Sequence, residues 1–225
     1  MIIKEYIMKK RSFDMTEEIM KRLLADHPEL ECCANDVKTV IGDLVTLYKN
    51  GGTFFCCGNG GSAADCDHIC GELLKGFMSL RPVDEELKEK FSAAYGDEGA
   101  ILAGKLQKGL PAVSLTSHPG YTTAFCNDVD PDLIFAQQLF AQAKKGDILL
   151  GISTGGGASN VRKAFMTARM MGVKTVLLTG NKHGKCEEFA DIVIAAPERE
   201  TYRIQELHLP IYHAICQAVE AEMFG

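Results

Sequence analysis

The sequence predicts an α/β fold in which a five-stranded parallel sheet is covered by helices on both faces. Short apolar runs alternate with segments of helical length, which is typical of strand–helix–strand units. Two of these runs pass directly into glycine-rich loops and then into helices. The runs are apolar throughout because strands of a parallel sheet are buried on both sides.

Two helices are predicted before the first strand, so the chain begins with an N-terminal helical arm over residues 1–50. Asp14 or Thr16 can cap the first helix. In the second, residues 35–50 carry apolar side chains at helical spacing, and a Gly-Gly pair ends the segment.

Five apolar runs are the strand candidates. In chain order they are Thr53–Cys57, Ala112–Thr116, Asp147–Ser153, Lys174–Thr179 and Ile192–Ala196. Helices are predicted from Ser159 to Met171 and from Arg203 to Met223. Ligands of such folds bind at the carboxyl ends of the strands, so the loops after the first and third runs are the candidate site.

The segment 80–110 interrupts this alternation. It opens with the strongly charged RPVDEELKEKF, which predicts an exposed helix. The second half, AAYGDEGAILAGKLQKG, is expected to return to the sheet. A stretch of this length is either a lid or interface arm, or a solvated excursion, and the sequence favours neither. Residues 1–225 are otherwise predicted to form one domain, with 80–110 as an inserted helical segment.

Bulk properties exclude several functional classes. A net charge of −6 argues against nucleic acid or an anionic membrane as a partner, because no cluster of Lys and Arg can replace condensed counterions. We see neither a signal peptide nor an apolar run near the roughly 18–20 residues of a membrane helix. Nine cysteines, an odd number with two adjacent pairs, suit free thiols. We therefore expect a cytoplasmic protein.

Two glycine loops can hold a phosphate group. They are Gly58–Ser62 (GNGGS) and Ser153–Asn160 (STGGGASN), and each follows a strand and opens a helix. Glycine lets the backbone approach an anion, and a helix N-terminus offers free N–H groups. Either loop alone is equally well explained as a tight connection, but two loops in one sheet favour a phosphate site. Neither matches a nucleotide-binding pattern.

Two pairs of side chains carry acid–base chemistry. His68 and Glu72 are four residues apart on the helix after the first loop, so they share one face. Gln205 and His213 are eight residues apart on the last helix, just over two turns. Imidazole and carboxylate groups serve proton transfer and also bind divalent metals. Each pair by itself is more often a structural contact than a site.

Five motifs together extend these observations, and with them the chain resembles the sugar isomerase (SIS) superfamily. Within it the resemblance is to the sedoheptulose 7-phosphate isomerases, also called phosphoheptose isomerases, over about residues 15–223. The motifs are Gly58-Asn59-Gly60-Gly61-Ser62, His68 with Glu72, Asn127-Asp128, GDILLGIST at 146–154, and Arg203-Ile204-Gln205-Glu206 followed by His213.

This resemblance implies a three-layer α/β/α, flavodoxin-like fold and a homotetramer with active sites between subunits. It implies conversion of D-sedoheptulose 7-phosphate to D-glycero-D-manno-heptose 7-phosphate through an enediol, with Glu72 and His213 as the acid–base pair. It also implies a zinc ion held by His68, Glu72, Gln205 and His213. The substrate-binding positions it implies are Asn59, Gly60, Gly61, Ser62, Asn127, Asp128, Ser153, Thr154, Gly155, Ser159 and Gln205.

The chain departs from the family pattern at its second loop and in its last helix. Many relatives read STSGNS where this chain reads STGGGA, so Gly155 and Ala158 replace two serines. Pro210 lies between Gln205 and His213, removes one helical hydrogen bond and is predicted to kink the helix. These departures keep two alternatives open, namely an isomerase of another phosphosugar and a non-catalytic SIS regulator that binds a phosphosugar.

Overall fold

The computed structural model describes residues 15–225, and its centre is a parallel sheet of five strands. The strands are β1 (Phe54–Gly58), β2 (Ala112–Ser114), β3 (Ile148–Ile152), β4 (Lys174–Gly180) and β5 (Ile192–Ala196). Their spatial order is β2-β1-β3-β4-β5, and all four neighbouring pairs are parallel. The predicted five-stranded sheet is confirmed, and its order is the flavodoxin-like one.

All five predicted strands form within one or two residues of their expected bounds. The main difference is β2, which ends at Ser114 rather than at Thr116. The hydroxyl groups of these two residues hydrogen-bond at 2.7 Å, and the chain turns there. Because β2 is an edge strand with one neighbour, no second ladder extends it.

The described part of the chain carries eight α-helices. The first is α1 at 15–26, followed by α2 (Ala34–Lys49), α3 (Gly61–Leu74), α4 (Glu85–Lys105), α5 (Pro119–Asp128), α6 (Ile134–Gln142), α7 (Ser159–Met171) and α8 (Thr201–Phe224). The bounds predicted for α7 are confirmed. The sequence interpretation did not single out α5 and α6.

Two apolar cores, one on each face of the sheet, make the protein a three-layer sandwich. Phe54 and Cys56 of β1 face α2, α3 and α8, whereas Phe55 and Cys57 face α6 and α7. Successive side chains of a strand point to opposite faces, so every strand contributes to both cores. All nine cysteines are free thiols.

The N-terminal helical arm packs on the face that holds α8. Thr16 lies inside α1 and its hydroxyl donates to Glu222 of α8 at 3.0 Å, so the prediction that Thr16 caps the helix is wrong. Its hydroxyl hydrogen-bonds a distant carboxylate instead of a backbone N–H group of the first helical turn. The other predicted cap, Asp14, lies outside the described residues. The second helix ends at Lys49, before the Gly-Gly pair as predicted.

The 80–110 segment forms a helix that makes little contact with the body. We expected the second half of this segment to return to the sheet, but α4 continues to Lys105. Gly96 interrupts the helix with φ 59°, a conformation that favours glycine. Only Gly99 and Ala103 of α4 are buried. An isolated antiparallel bridge between Pro82 and Gln107 closes the segment at its base.

The last helix, α8, runs through Pro210 as one element of 24 residues. Proline removes a single N–H, and the remaining bonds and buried packing keep the helix continuous. Over the described residues, no helix is both long enough and apolar enough to cross a membrane.

Candidate active site

The two glycine loops lie side by side at the carboxyl edge of the sheet. They follow β1 and β3, which are neighbours although β2 comes between them in the chain. This is the point where the strand order reverses, and connections diverging to opposite faces leave a crevice there. Asn59 of the first loop and Asn160 of the second exchange two amide hydrogen bonds of 3.0 and 2.9 Å. This pair joins the two loops into one unit.

The first loop holds its shape through two glycines. Gly60 precedes α3 with φ 58°, a backbone conformation that a side chain disfavours. Gly61 leaves room for the amide of Gln205, which a Cβ at this position would strike. Ser62 is buried at the first turn, and its N–H donates to the carbonyl of Asn59 at 3.1 Å.

In the second loop, one of the polar side chains already has a hydrogen-bond partner outside the loop. Ser153 is buried, whereas Thr154 and Gly155 are half-buried. The hydroxyl of Ser159 donates to Asp132 at 2.7 Å, so it does not point freely into the loop. Neither α3 nor α7 has a side-chain cap, and Ala158 stands at the capping position of α7. Uncapped helix N-termini keep N–H groups available for an anion.

Three predicted site residues, the acid–base candidates Glu72 and His213 and the metal-ligand candidate His68, meet between α3 and α8. The Nε2 atom of His68 lies 3.4 Å from Oε1 of Glu72, as their spacing on one helix face predicts. The same Nε2 atom lies 3.4 Å from Nε2 of His213. Glu72 has 14% of its side chain exposed, and its second oxygen accepts from Lys75 at 3.2 Å. Burial and the neighbouring His68 lower the pKa of His213, which favours a neutral imidazole.

Two side chains that the sequence interpretation missed stand behind His68. Its Nδ1 atom lies 3.0 Å from the hydroxyl of Tyr212, and that hydroxyl donates to Asp65 at 3.3 Å. Burial raises the pKa of the Asp65 carboxyl, against the lowering effect of the Tyr212 hydrogen bond. Burial and the adjacent Asp65 also raise the pKa of Tyr212. Tyr212 is 2% exposed, so it presents its hydroxyl from a fixed position.

A buried ion pair anchors the chain that follows α3. Glu220 of α8 accepts N–H groups of Phe77 and Met78 at 2.8 and 2.7 Å, and it also pairs with Arg81 at 2.7 Å. Arg81 in turn donates to the carbonyl of Glu72 at 3.2 Å. Phe77 packs against the ring of His213, with 5.4 Å between the centroids. The pair therefore links both catalytic helices through buried groups.

A metal ion matches the type of these donors. Two ligands at about 2.0–2.1 Å from a tetrahedral zinc lie about 3.3 Å apart, and His68 stands 3.4 Å from each of its two partners. Two imidazoles and a carboxylate are also ordinary zinc ligands. Within residues 15–225, no three His, Cys, Asp or Glu side chains form a ready metal site, so the fit rests on donor type and these two distances.

Other predicted residues lie apart from this cluster. The amide of Gln205 is beside Gly61, and eight residues of helix place it about 12 Å along the axis from His213. Asn127 and Asp128 are exposed at the end of α5, where they hydrogen-bond each other at 2.9 Å. The structure thus brings together His68, Glu72 and His213, and places Gln205 at the glycine loop.

A cavity of about 170 Å³ opens beside His213, between α1 and α8. Arg22, Asp26, His27 and Pro210 contribute to its wall. No motif marks the first three residues, and only the packing of the N-terminal arm on α8 brings them there.

Comparison with known proteins gives a consistent result. Residues 107–221 match the SIS domain model. The chain is 36% identical to the phosphoheptose isomerase of Aliarcobacter butzleri, over 93% of this chain and 99% of that protein. It is 37% identical to the Mycobacterium bovis phosphoheptose isomerase, over 95% and 93%.

Solved structures agree with the sequence relatives. The phosphoheptose isomerase of Francisella tularensis superimposes with a TM-score of 0.71 at 26% identity, covering 92% of this chain and 97% of the other. That of Neisseria gonorrhoeae gives 0.66 at 26% identity, covering 97% and 98%. The parallel sheet, the paired glycine loops and these relatives agree, and the chain belongs to the phosphoheptose isomerases, sugar-phosphate isomerases of the SIS domain family.

Proposed function

We propose that the protein converts D-sedoheptulose 7-phosphate to D-glycero-D-manno-heptose 7-phosphate. The observation that carries this proposal is the meeting of His68, Glu72 and His213 on helices that start from, or pass beside, the paired glycine loops. A sugar phosphate needs an anion site and a proton-transfer site at one end of the sheet, and this arrangement supplies both.

The phosphate group binds at the second glycine loop in this proposal. Thr154, Gly155 and the uncapped N-terminus of α7 offer N–H and hydroxyl donors, while Ser153 and Ser159 support the loop. Asn59, Gly60, Gly61, Ser62 and Gln205 surround the sugar chain from the first loop. Asn127 and Asp128, which are exposed at the end of α5, complete the substrate-binding set.

Proton transfer is assigned to Glu72 and His213. Glu72 removes a proton from C1 of the ketose, which gives an enediol, and returns it to C2. His213 moves a proton from the C1 oxygen to the C2 oxygen, so the aldose forms without a net change in protons. The lowered pKa of His213 keeps its imidazole neutral and able to take up that proton.

Zinc is the proposed cofactor, with His68, Glu72 and His213 as its ligands. Gln205, the fourth ligand that the family resemblance implies, lies at the first glycine loop and is assigned to the substrate instead. When bound, zinc supplies a positive charge that stabilises the oxyanion developing at C1 and C2. The residues themselves orient the sugar, and Phe77 covers one side of the His213 ring.

Turnover assays test the proposal. Purified protein is incubated with sedoheptulose 7-phosphate, and aldose formation is followed with a chelator and with added zinc. Turnover that requires zinc supports both substrate and cofactor. A folded protein without turnover in either condition contradicts this substrate, and parallel assays with other ketose phosphates then identify an alternative one.

Glu72→Gln tests the assignment of the base. We expect turnover to fall by at least about 100-fold, since a positioned acid–base group contributes about 10²–10⁴-fold. Glu188→Gln is the matched control, because Glu188 is exposed on the turn that packs beside α7. Retained activity in Glu72→Gln rejects this role.

A cytoplasmic homotetramer is the proposed assembly. Helix α4 exposes large apolar side chains, and an isolated helix of this kind is marginal in water without a partner. Within α4 the most exposed are Tyr95, Ile101 and Leu102, at 67%, 60% and 46%, and Leu80, which precedes the helix, is 82% exposed. We expect a second subunit to cover them and the exposed side of His68. Light scattering gives the native mass, and a monomer that retains turnover contradicts the assembly.

A further inference from the structure

A hydrogen-bonded chain runs from the half-buried carboxylate of Asp65 to the proposed catalytic cluster. It consists of Asp65 on α3, Tyr212 on α8 and the Nδ1 side of His68. The opposite ring nitrogen of His68, Nε2, faces Glu72 and His213 at 3.4 Å each. This hydrogen-bonded chain contacts none of the substrate-binding residues named above, so its role concerns the imidazole of His68 itself.

With Asp65 ionised, the proton count along the Asp65–Tyr212–His68 hydrogen-bond chain leaves one consistent arrangement. A tyrosine hydroxyl has a single proton, and a carboxylate only accepts. The Tyr212 hydroxyl donates that proton to Asp65 at 3.3 Å. Its oxygen is therefore an acceptor at 3.0 Å from His68, and Nδ1 of His68 must carry a proton.

The reverse arrangement leaves both oxygens of Asp65 without a donor. If Tyr212 donated to Nδ1, the Oδ1 atom of Asp65 would lose the hydroxyl. Among the described residues, Oδ2 of Asp65 is buried and already lacks a partner. A carboxylate with neither oxygen satisfied is strongly disfavoured inside a protein.

We propose that Asp65 and Tyr212 are positioning residues that hold the proton of His68 on Nδ1 and so direct the Nε2 lone pair toward Glu72 and His213. This inference rests on the proposed function for its purpose. A histidine ligates a metal through the nitrogen that carries no proton, and the partner of the other nitrogen decides which one that is. Without the chain, His68 could place its proton on Nε2 and donate it to Glu72.

The tautomer can be read directly in the metal-free protein by long-range ¹H–¹⁵N spectra at about pH 8, where an ordinary imidazole is neutral. We expect the Nδ1–H form of His68 in the native sequence and a shift toward Nε2–H in Tyr212→Phe. Tyr48→Phe is the matched control, because the Tyr48 hydroxyl is also buried and has no partner among the described residues. It should leave the spectrum of His68 unchanged.

Two further variants separate a positioning role from a structural one. Asp65→Ala keeps the hydroxyl of Tyr212 but frees its proton for Nδ1, so His68 should shift toward Nε2–H. Asp65→Asn retains an acceptor oxygen and should keep the native tautomer. Asp65→Ala also answers the question if Tyr212→Phe fails to fold. A native tautomer in both Tyr212→Phe and Asp65→Ala overturns the proposal.

Zinc affinity, measured by chelator competition, supplies a second readout that does not require turnover. Tyr212→Phe is expected to bind zinc about 10–100-fold more weakly than the native protein, and Tyr48→Phe equally well. Unchanged affinity in Tyr212→Phe contradicts the proposal. Absence of turnover in the native protein would contradict the proposed reaction alone, since the tautomer and the affinity are measured independently of it.

Discussion

Acid sensitivity of folding should be traceable to His208, which lies on α8 between the two functional residues of that helix. It is 0% exposed, its Nε2 atom lies 3.2 Å from the carbonyl of Thr179, and its Nδ1 atom has no partner among the described residues. Burial lowers the pKa of His208 to about 4, partly opposed by the Thr179 hydrogen bond. The imidazole is therefore neutral in the folded protein.

The sign and size of the effect follow from this pKa. The unfolded chain binds a proton on His208 below its ordinary pKa of about 6.5, whereas the folded protein does so only near 4. Between these values the unfolded state holds more protons, so stability falls as the pH falls. We expect His208 to account for a loss of about 2 kcal/mol in unfolding free energy between about pH 7 and pH 5.

Urea denaturation followed by circular dichroism, at one fixed protein concentration and several pH values, measures this contribution. In His208→Gln the loss of stability between about pH 7 and pH 5 should be smaller by about 2 kcal/mol than in the native protein. His183→Asn is the control, because His183 is exposed and asparagine tolerates its positive φ of 54°. The same pH dependence in native protein and His208→Gln refutes the reasoning.

Three further predictions concern the anchor and the second loop. Glu220→Gln leaves Arg81 as an uncompensated buried charge and should lower the unfolding free energy by about 3–5 kcal/mol in urea titrations; an effect no larger than that of Glu222→Gln on the same helix contradicts this. Ala158→Ser adds a cap to α7 and should stabilise the protein by about 1 kcal/mol in the same assay, whereas no gain means that the serine does not cap. Gly155→Ser fits without a clash and adds a hydroxyl to the proposed phosphate loop, so KM for the sugar phosphate should fall about tenfold; an unchanged KM places the phosphate elsewhere.

Local pattern predicted the architecture well and the surface segment poorly. The strands were recognisable because burial on both faces demands continuous apolar runs, and β5 has the predicted bounds. In the 80–110 segment the helix was predicted correctly for the first half, but the second half was wrongly expected to return to the sheet. Helix α4 lacks an apolar face and packs little on the body, so periodicity carried no information about its end.

The candidate site residues also divide into those that local spacing placed correctly and those that it did not. Helical spacing was sufficient to place His68 and Glu72 together, since both lie on one helix. The same spacing argument put Gln205 on roughly one face with His213, but it could not show that the Gln205 amide turns toward Gly61. The groups that a helix contacts depend on which elements pack against it, and the periodicity of the helix does not identify those elements.

By itself, the sequence determined the parallel sheet, the two glycine loops at its carboxyl edge and the helix face that carries His68 and Glu72. Those features depend on hydrophobic period, glycine placement and spacing within single elements. The tertiary structure alone decided that Tyr212 lies behind His68, that Asn160 joins the two loops and that Arg81 ties α3 to α8. His68 and Tyr212 are 144 positions apart in the sequence, Asn59 and Asn160 are 101 apart, and Arg81 and Glu220 are 139 apart. Only the packing of distant elements creates these contacts.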